Sequence, residues 1–162
     1  MKEIVKDTLE RLSIPYRLVT HQAAATMEEM ENLKLGLDCT EIKNLFLRDH
    51  KGRRFFLVCV RGNKQVRLKE LASRLAVAGG LSFASEQQLE TLLKLAPGSV
   101  TPLGILNDEQ RTVTVVLDSE FLPTESVGVH PNENTSSLIL LFSDLVRIIE
   151  EHQNPLCYRE LT

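Results

Sequence analysis

The sequence predicts one α/β (α+β) domain spanning residues 1–162, with a mixed-direction β-sheet. Two apolar runs, 43–48 and 54–60, are joined by Asp49-His50-Lys51-Gly52-Arg53, a polar segment of hairpin length, which makes them antiparallel neighbours. The strand-like runs that follow are separated from this pair by helical stretches long enough for crossovers. No repeat, low-complexity tract or linker divides the 162 residues, a length that buries a substantial core.

Taken in order, Ile4, Val5, Leu9 and Leu12 recur at helical spacing over residues 2–13, and Ser13-Ile14-Pro15 breaks the pattern. Tyr16 to Thr20 alternates as a strand. Thr26 with Glu29 three places on forms a capping box for a helix through Leu33. After the hairpin, Leu68 to Ala78 reads as a helix stopped by Gly79-Gly80. Ser85 caps another helix, with Leu89, Leu92 and Leu93, that ends before Pro97. Thr112 to Leu117 is a β-branched run and the clearest strand in the chain. Ser137 to Leu141 is a second apolar strand, and Ser143 is expected to cap a last helix through Glu151.

Composition narrows the class. Apolar residues make up 43% and charged residues 25%, as in soluble globular proteins. No apolar run approaches the ~20 residues that span a bilayer, and the acidic N-terminal segment does not read as a signal peptide. A cytoplasmic chain with no membrane partner is expected. Three scattered cysteines, Cys39, Cys59 and Cys157, make no disulfide framework, and Cys59 reads as a buried, inert thiol. The net charge of −3 hides an asymmetry: residues 43–74 hold ten Lys and Arg against Asp49 and Glu70. That window carries +8 and the rest of the chain −11. A positive face of this kind either solvates two strands and a helix or meets a polyanion.

Three segments are candidates for chemistry. Gly98-Ser99-Val100-Thr101-Pro102-Leu103-Gly104 combines a glycine open to unusual backbone angles with a proline four places on that fixes the exit. It is either a ligand-presenting loop or a plain helix-to-strand connection, and it lacks the Lys-Ser/Thr ending of a phosphate loop. His130-Pro131 precedes a polar run containing Asn134 and Thr135, which is a binding segment or a surface turn. Lys43 opens an apolar strand, where it either meets an anionic group or is simply exposed. Histidines 21, 50, 130 and 152 make no metal-ligand spacing, so no metal and no cofactor is expected. No Gly-x-Ser-x-Gly elbow is present.

Together these segments resemble the YbaK/ProX family of aminoacyl-tRNA editing domains over nearly the whole chain. The resemblance is carried by His21 with Thr26 and Glu29; Lys43-Asn44-Leu45-Phe46-Leu47-Arg48-Asp49; Lys64-Gln65-Val66-Arg67-Leu68-Lys69-Glu70-Leu71; Gly98 to Pro102; Leu106-Asn107-Asp108; Val115-Val116-Leu117-Asp118; and His130-Pro131 with Asn134-Thr135. The Leu-Gly-Ile-Leu-Asn-Asp run after Pro102 looks most like the free-standing type that clears alanyl-tRNA(Pro), ProXp-ala or PrdX. Relatives acting on cysteinyl-tRNA(Pro) show a more glycine-rich loop, from which Ser99-Val100-Thr101 departs. Arg67 stands where relatives often carry an acidic residue.

The resemblance implies a YbaK-like fold, a mixed sheet curled into a partial barrel with flanking helices, and a deacylase acting on mischarged tRNA(Pro). Its implied partners are the acceptor end of that tRNA and prolyl-tRNA synthetase. Lys43, Gly98 and His130 are the implied catalytic residues. The substrate would be bound by His21, Thr26, Ser99, Val100, Thr101, Pro102, Asn134 and Thr135. The basic window would meet the acceptor-stem phosphates.

Overall fold

The computed structural model describes residues 1–21, 39–133 and 135–161. Helix α1 (Glu3–Arg11) buries Val5, Thr8 and Leu9, while Ile4 on the neighbouring face is exposed. Strand β1 (Arg17–Thr20) follows. The expected capping box at Thr26 and its helix lie outside the described residues.

The predicted hairpin is present as β2 (Thr40–Asp49) and β3 (Phe55–Arg61), antiparallel, with Lys43 opposite Val60 and Arg48 opposite Phe55. Helix α2 (Leu68–Arg74) is shorter than the pattern suggested. Ala76 takes the left-handed conformation (φ 53°) and the Val77 N–H bonds the Ala72 carbonyl. That closes the helix before Gly79 is reached. Strand β4 (Leu81–Phe83) comes next. Helix α3 (Glu86–Leu93) begins at Ser85, whose side chain accepts from Gln88 N, and Gln88 answers in a complete capping box. Two 3-10 turns, Pro97–Ser99 and Pro102–Asn107, lead into β5 (Val113–Asp118).

Strands β6 (Ser126–Val129) and β7 (Ser136–Leu141), helix α4 (Phe142–His152) and strand β8 (Leu156–Arg159) complete the chain. Ser143 does not cap α4: the helix starts directly from β7, so Ser143 is already inside its first turn. The amides of Phe142 and Ser143 are satisfied instead by the carbonyls of Glu125 and Pro123.

The strand order is β1-β7-β6-β2-β3-β5-β8, with β4 also on β2. Directions are mixed, as predicted. The pairs β1·β7, β6·β7, β2·β3 and β2·β4 are antiparallel; β2·β6, β3·β5 and β5·β8 are parallel. One core takes Val127, Val129, Leu138 and Leu140 from the β6–β7 half and Ile42, Phe46, Leu57, Val115 and Leu117 from the β2–β5 half. Both halves therefore face the same interior, and the sheet curls about it. The opposite face of β2, β3 and β5 packs Leu45, Leu47, Val58, Val60 and Val116 against Leu71 and Ala72 of α2. Cys59 is fully buried and its thiol pKa is pushed up by that burial, so it is inert.

Candidate active site

The site begins at a break in the edge of β2. On the side away from β3, this strand pairs with β6 at Thr40 and Glu41, then with β4 from Leu47 to Asp49. Between those stretches the 98–102 loop approaches, and Asn44 meets it. The Asn44 amide donates to the Val100 carbonyl at 3.2 Å and to its own strand's Ile42 carbonyl at 3.4 Å. The loop thus lies against the core-facing side of β2 that carries Ile42, Asn44 and Phe46.

Its conformation follows from its residues. Gly98 sits within the first 3-10 turn, and the described glycines with positive φ are Gly52, Gly79 and Gly80. The freedom expected of Gly98 is therefore not expressed in its backbone angle. Thr101 is fully buried and acts as the N-cap of the second turn: its hydroxyl accepts from Leu103 N at 3.3 Å and donates to the His130 carbonyl at 2.6 Å. Pro102 is buried at the first position of that turn, where a missing N–H costs nothing. The loop and the His130 segment are in this way tied together.

His130 closes β6. Its Nδ1 lies 3.4 Å from the Ser136 carbonyl, which can only accept, so Nδ1 carries the proton and Nε2 presents a lone pair when the ring is neutral. Burial, and secondarily the nearby His21, hold its pKa below the ordinary value of 6.5. His21 docks on the start of β7: its N–H donates to the Thr135 carbonyl and its Nε2 is 2.9 Å from Ser137 Oγ. Glu41 stands opposite Gly128 in the β2·β6 ladder; burial raises its carboxyl pKa, partly opposed by His21. His21, Glu41 and His130 form one electrostatic group.

Lys43 is adjacent in sequence to Asn44, but alternation along a strand sends the two side chains to opposite faces. The Lys43 ammonium donates to the Lys64 carbonyl at 3.3 Å, so Asn44 is the residue that contacts the loop. Lys64 is itself paired with Asp118 and with Glu120 (2.9 Å). Ser99 is buried, Val100 is half-buried and Thr135 is exposed. Thr26 and Asn134 lie outside the described residues.

Sequence reasoning missed Asn44, Asn132 and Glu41 as site residues. Among the described residues, three buried side-chain atoms lack any hydrogen-bond partner: Asn44 Oδ1 and both Asn132 Oδ1 and Nδ2. Leaving such atoms bare costs about 1–3 kcal/mol each. Both asparagines sit on segments joined to the 98–102 loop, Asn44 directly and Asn132 two residues past His130. Asn132 is held in a left-handed conformation (φ 62°). Only the adjacency of Asn44 to the lysine in the motif hinted at this.

Residues 21–148 match the model of the aminoacyl-tRNA editing domain. The prolyl-tRNA editing protein ProX of Acetoanaerobium sticklandii is 40% identical over 94% of this chain and 93% of its own. Prolyl-tRNA synthetase associated domain-containing protein 1 of Danio rerio is 37% identical over 95% of this chain and 84% of its own. Among solved structures, a candidate trans-editing enzyme for prolyl-tRNA synthetase superposes with a TM-score of 0.73 at 17% identity, covering 100% of this chain and 98% of that one. The last likeness is one of fold.

Proposed function

The chain belongs to the aminoacyl-tRNA editing domain family, and on that premise we propose that it is a hydrolase that removes alanine from mischarged tRNA(Pro) in trans. The observation that carries this reading is the set of orphaned buried atoms on Asn44, which is bonded to the 98–102 loop, and on Asn132, two residues past the His130 carbonyl that Thr101 bonds. Polar atoms that stay unmatched in the folded chain are suited to a polar ligand, here the aminoacyl group and its terminal nucleotide.

An aminoacyl ester is already activated, so its hydrolysis needs a placed water and charge stabilisation at the carbonyl oxygen, with no covalent protein nucleophile. Water adds to the ester carbonyl, the bond to the ribose oxygen breaks, and the leaving oxygen takes the proton to give free alanine and intact tRNA. In this reading Gly98 to Pro102 line the acyl site with backbone groups and limit its size. Lys43 uses one ammonium proton on the Lys64 carbonyl and has two left for a phosphate of the terminal nucleotide. Neutral His130 offers Nε2 to a ribose hydroxyl or the water. His21, Thr26, Asn134 and Thr135 support the terminal adenosine. Proline is refused on bulk, which supplies the discrimination that a synthetase site, limited to ~1–3 kcal/mol per methylene, cannot reach alone. Prolyl-tRNA synthetase is the natural source of the substrate.

A panel of alanyl-, cysteinyl- and prolyl-tRNA(Pro) tests the proposal. Alanyl-tRNA(Pro) should be cleared while prolyl-tRNA(Pro) survives. No turnover with protein in excess would make the chain a binding module, and a preference for cysteine would move the substrate. Lys43→Ala should keep its melting temperature and lose about 100-fold in deacylation rate.

A further inference from the structure

Nine of the ten cations in the basic window of residues 43–74, all but Lys69, fall into two groups in the structure. Arg61 is paired with Glu125 and Glu120, Lys64 with Asp118 and Glu120, and Arg67 lies 3.9 Å from Glu70. Lys43 and Arg74 donate to the carbonyls of Lys64 and Glu160. These five are engaged by the protein itself.

The turn between β2 and β3 is different. Within seven residues it carries Arg48, Lys51, Arg53 and Arg54, of which the last three are exposed. None forms a salt bridge to a carboxylate among the described residues; Arg54 lies over the Phe56 ring at 5.1 Å. The one acidic residue, Asp49, is used inside the turn. Its Oδ1 accepts from the backbone N–H groups of Arg53 (2.8 Å) and Arg54 (3.1 Å), and these bonds keep its pKa below the usual carboxylate range. Gly52 takes φ 67°, its N–H bonds the Asp49 carbonyl, and β4 pairs alongside at Arg48 and Asp49. The turn is thus fixed before any partner arrives. Along the same ribbon, opposite Leu47, Phe83 is 60% exposed.

We propose that the β2–β3 turn, with Phe83, is a second anchor for RNA, gripping the backbone of the strand that leads to the acylated end. It rests on the reading that this end sits beside Asn44. From Lys43 to Asp49 the strand rises about 20 Å, roughly six nucleotides stacked at ~3.4 Å. An exposed aromatic ring on the Lys43 and Leu47 side of the ribbon, next to cations that form no salt bridge among the described residues, suits nucleic acid, because rings stack on bases and cations neutralise phosphates. A protein partner would need a cluster of apolar anchors, and no exposed large apolar side chain belongs to the turn itself.

The test uses the full chain, an uncharged tRNA(Pro) transcript and poly-L-glutamate as probes, and fluorescence anisotropy at several salt concentrations. K51A/R53A/R54A should weaken transcript binding about tenfold or more and lower the salt slope by about two to three. K51R/R53K/R54K should restore it. F83A should weaken binding with the salt slope kept. Hydrolysis of an alanyl ester on a short CCA oligonucleotide should be unchanged in the triple variant. Unchanged affinity and slope would overturn the anchor, as would a loss confined to poly-L-glutamate. Should the wild type hydrolyse no aminoacyl-tRNA, the deacylase reading fails while the anisotropy arm still decides the anchor.

Discussion

His130 and Glu41 show opposite responses to the same burial. The depressed pKa of His130 means that below about pH 6.5 the unfolded chain binds the proton that the folded chain resists. Its stability is intact above that pH and falls as the pH drops through it. His130→Asn should flatten the fall of melting temperature between pH 7.5 and 5. Glu41 has a raised pKa, so the unfolded chain ionises first and the penalty is present at neutral pH. Glu41→Gln should therefore raise the melting temperature at pH 7, with the gain vanishing towards pH 4. A carboxylate and a histidine whose charged forms are both disfavoured by burial are the kind of local cost that binding sites carry. His130 and the 98–102 loop were legible in the sequence, since proline and glycine mark unusual backbone. Asn44 and Asn132 were not, because what singles them out is burial with too few partners, nor was Glu41, marked by burial of its carboxyl; both are properties of three dimensions.

Helices were easier to locate than to delimit. Ser85 was correctly read as a cap, because a capping box is a local pattern with a local bond. Ser143 was misread, because the groups that satisfy its helix's first turn come from Pro123 and Glu125, across a loop and a strand. Ser85→Ala should cost about 1 kcal/mol in denaturant unfolding, and Ser143→Ala less than about 0.5 kcal/mol. Strands β4, β6 and β8 escaped the reading: β4 has three residues, Gly128 interrupts β6, and β8 follows directly on the α4 terminus and Pro155. Close packing also fixes the second 3-10 turn: a Cβ at Gly104 would lie 2.6 Å from Leu95 Cδ1. Gly104→Ala should destabilise by about 1–3 kcal/mol, read from the same unfolding curves.

Across the molecule, the fold class was legible but the strand order was not. The parallel pairs β2·β6, β3·β5 and β5·β8 join distant segments that no local pattern connects. One fastening of this long-range kind is polar and buried. Asp108 accepts from the amides of Thr112 and Val113 and from Asn154, which also donates to the Val113 carbonyl. Asn154→Ala should cost about 2 kcal/mol, because it removes one of the two donors to a buried Asp108 carboxylate oxygen and the side-chain donor to the Val113 carbonyl; the midpoint of urea unfolding would report it. β2 has the larger role, stitched to β3 along most of its length, to β6 at one end and to β4 at the other. Insertions in the surrounding turns leave that seam alone. Deleting a single residue ahead of Lys43 would instead slide the thread by one stitch, turning the ammonium and the amide each to the other's flank. Homologues of this chain can thus vary in the length of nearly every connection while this one rod keeps its length.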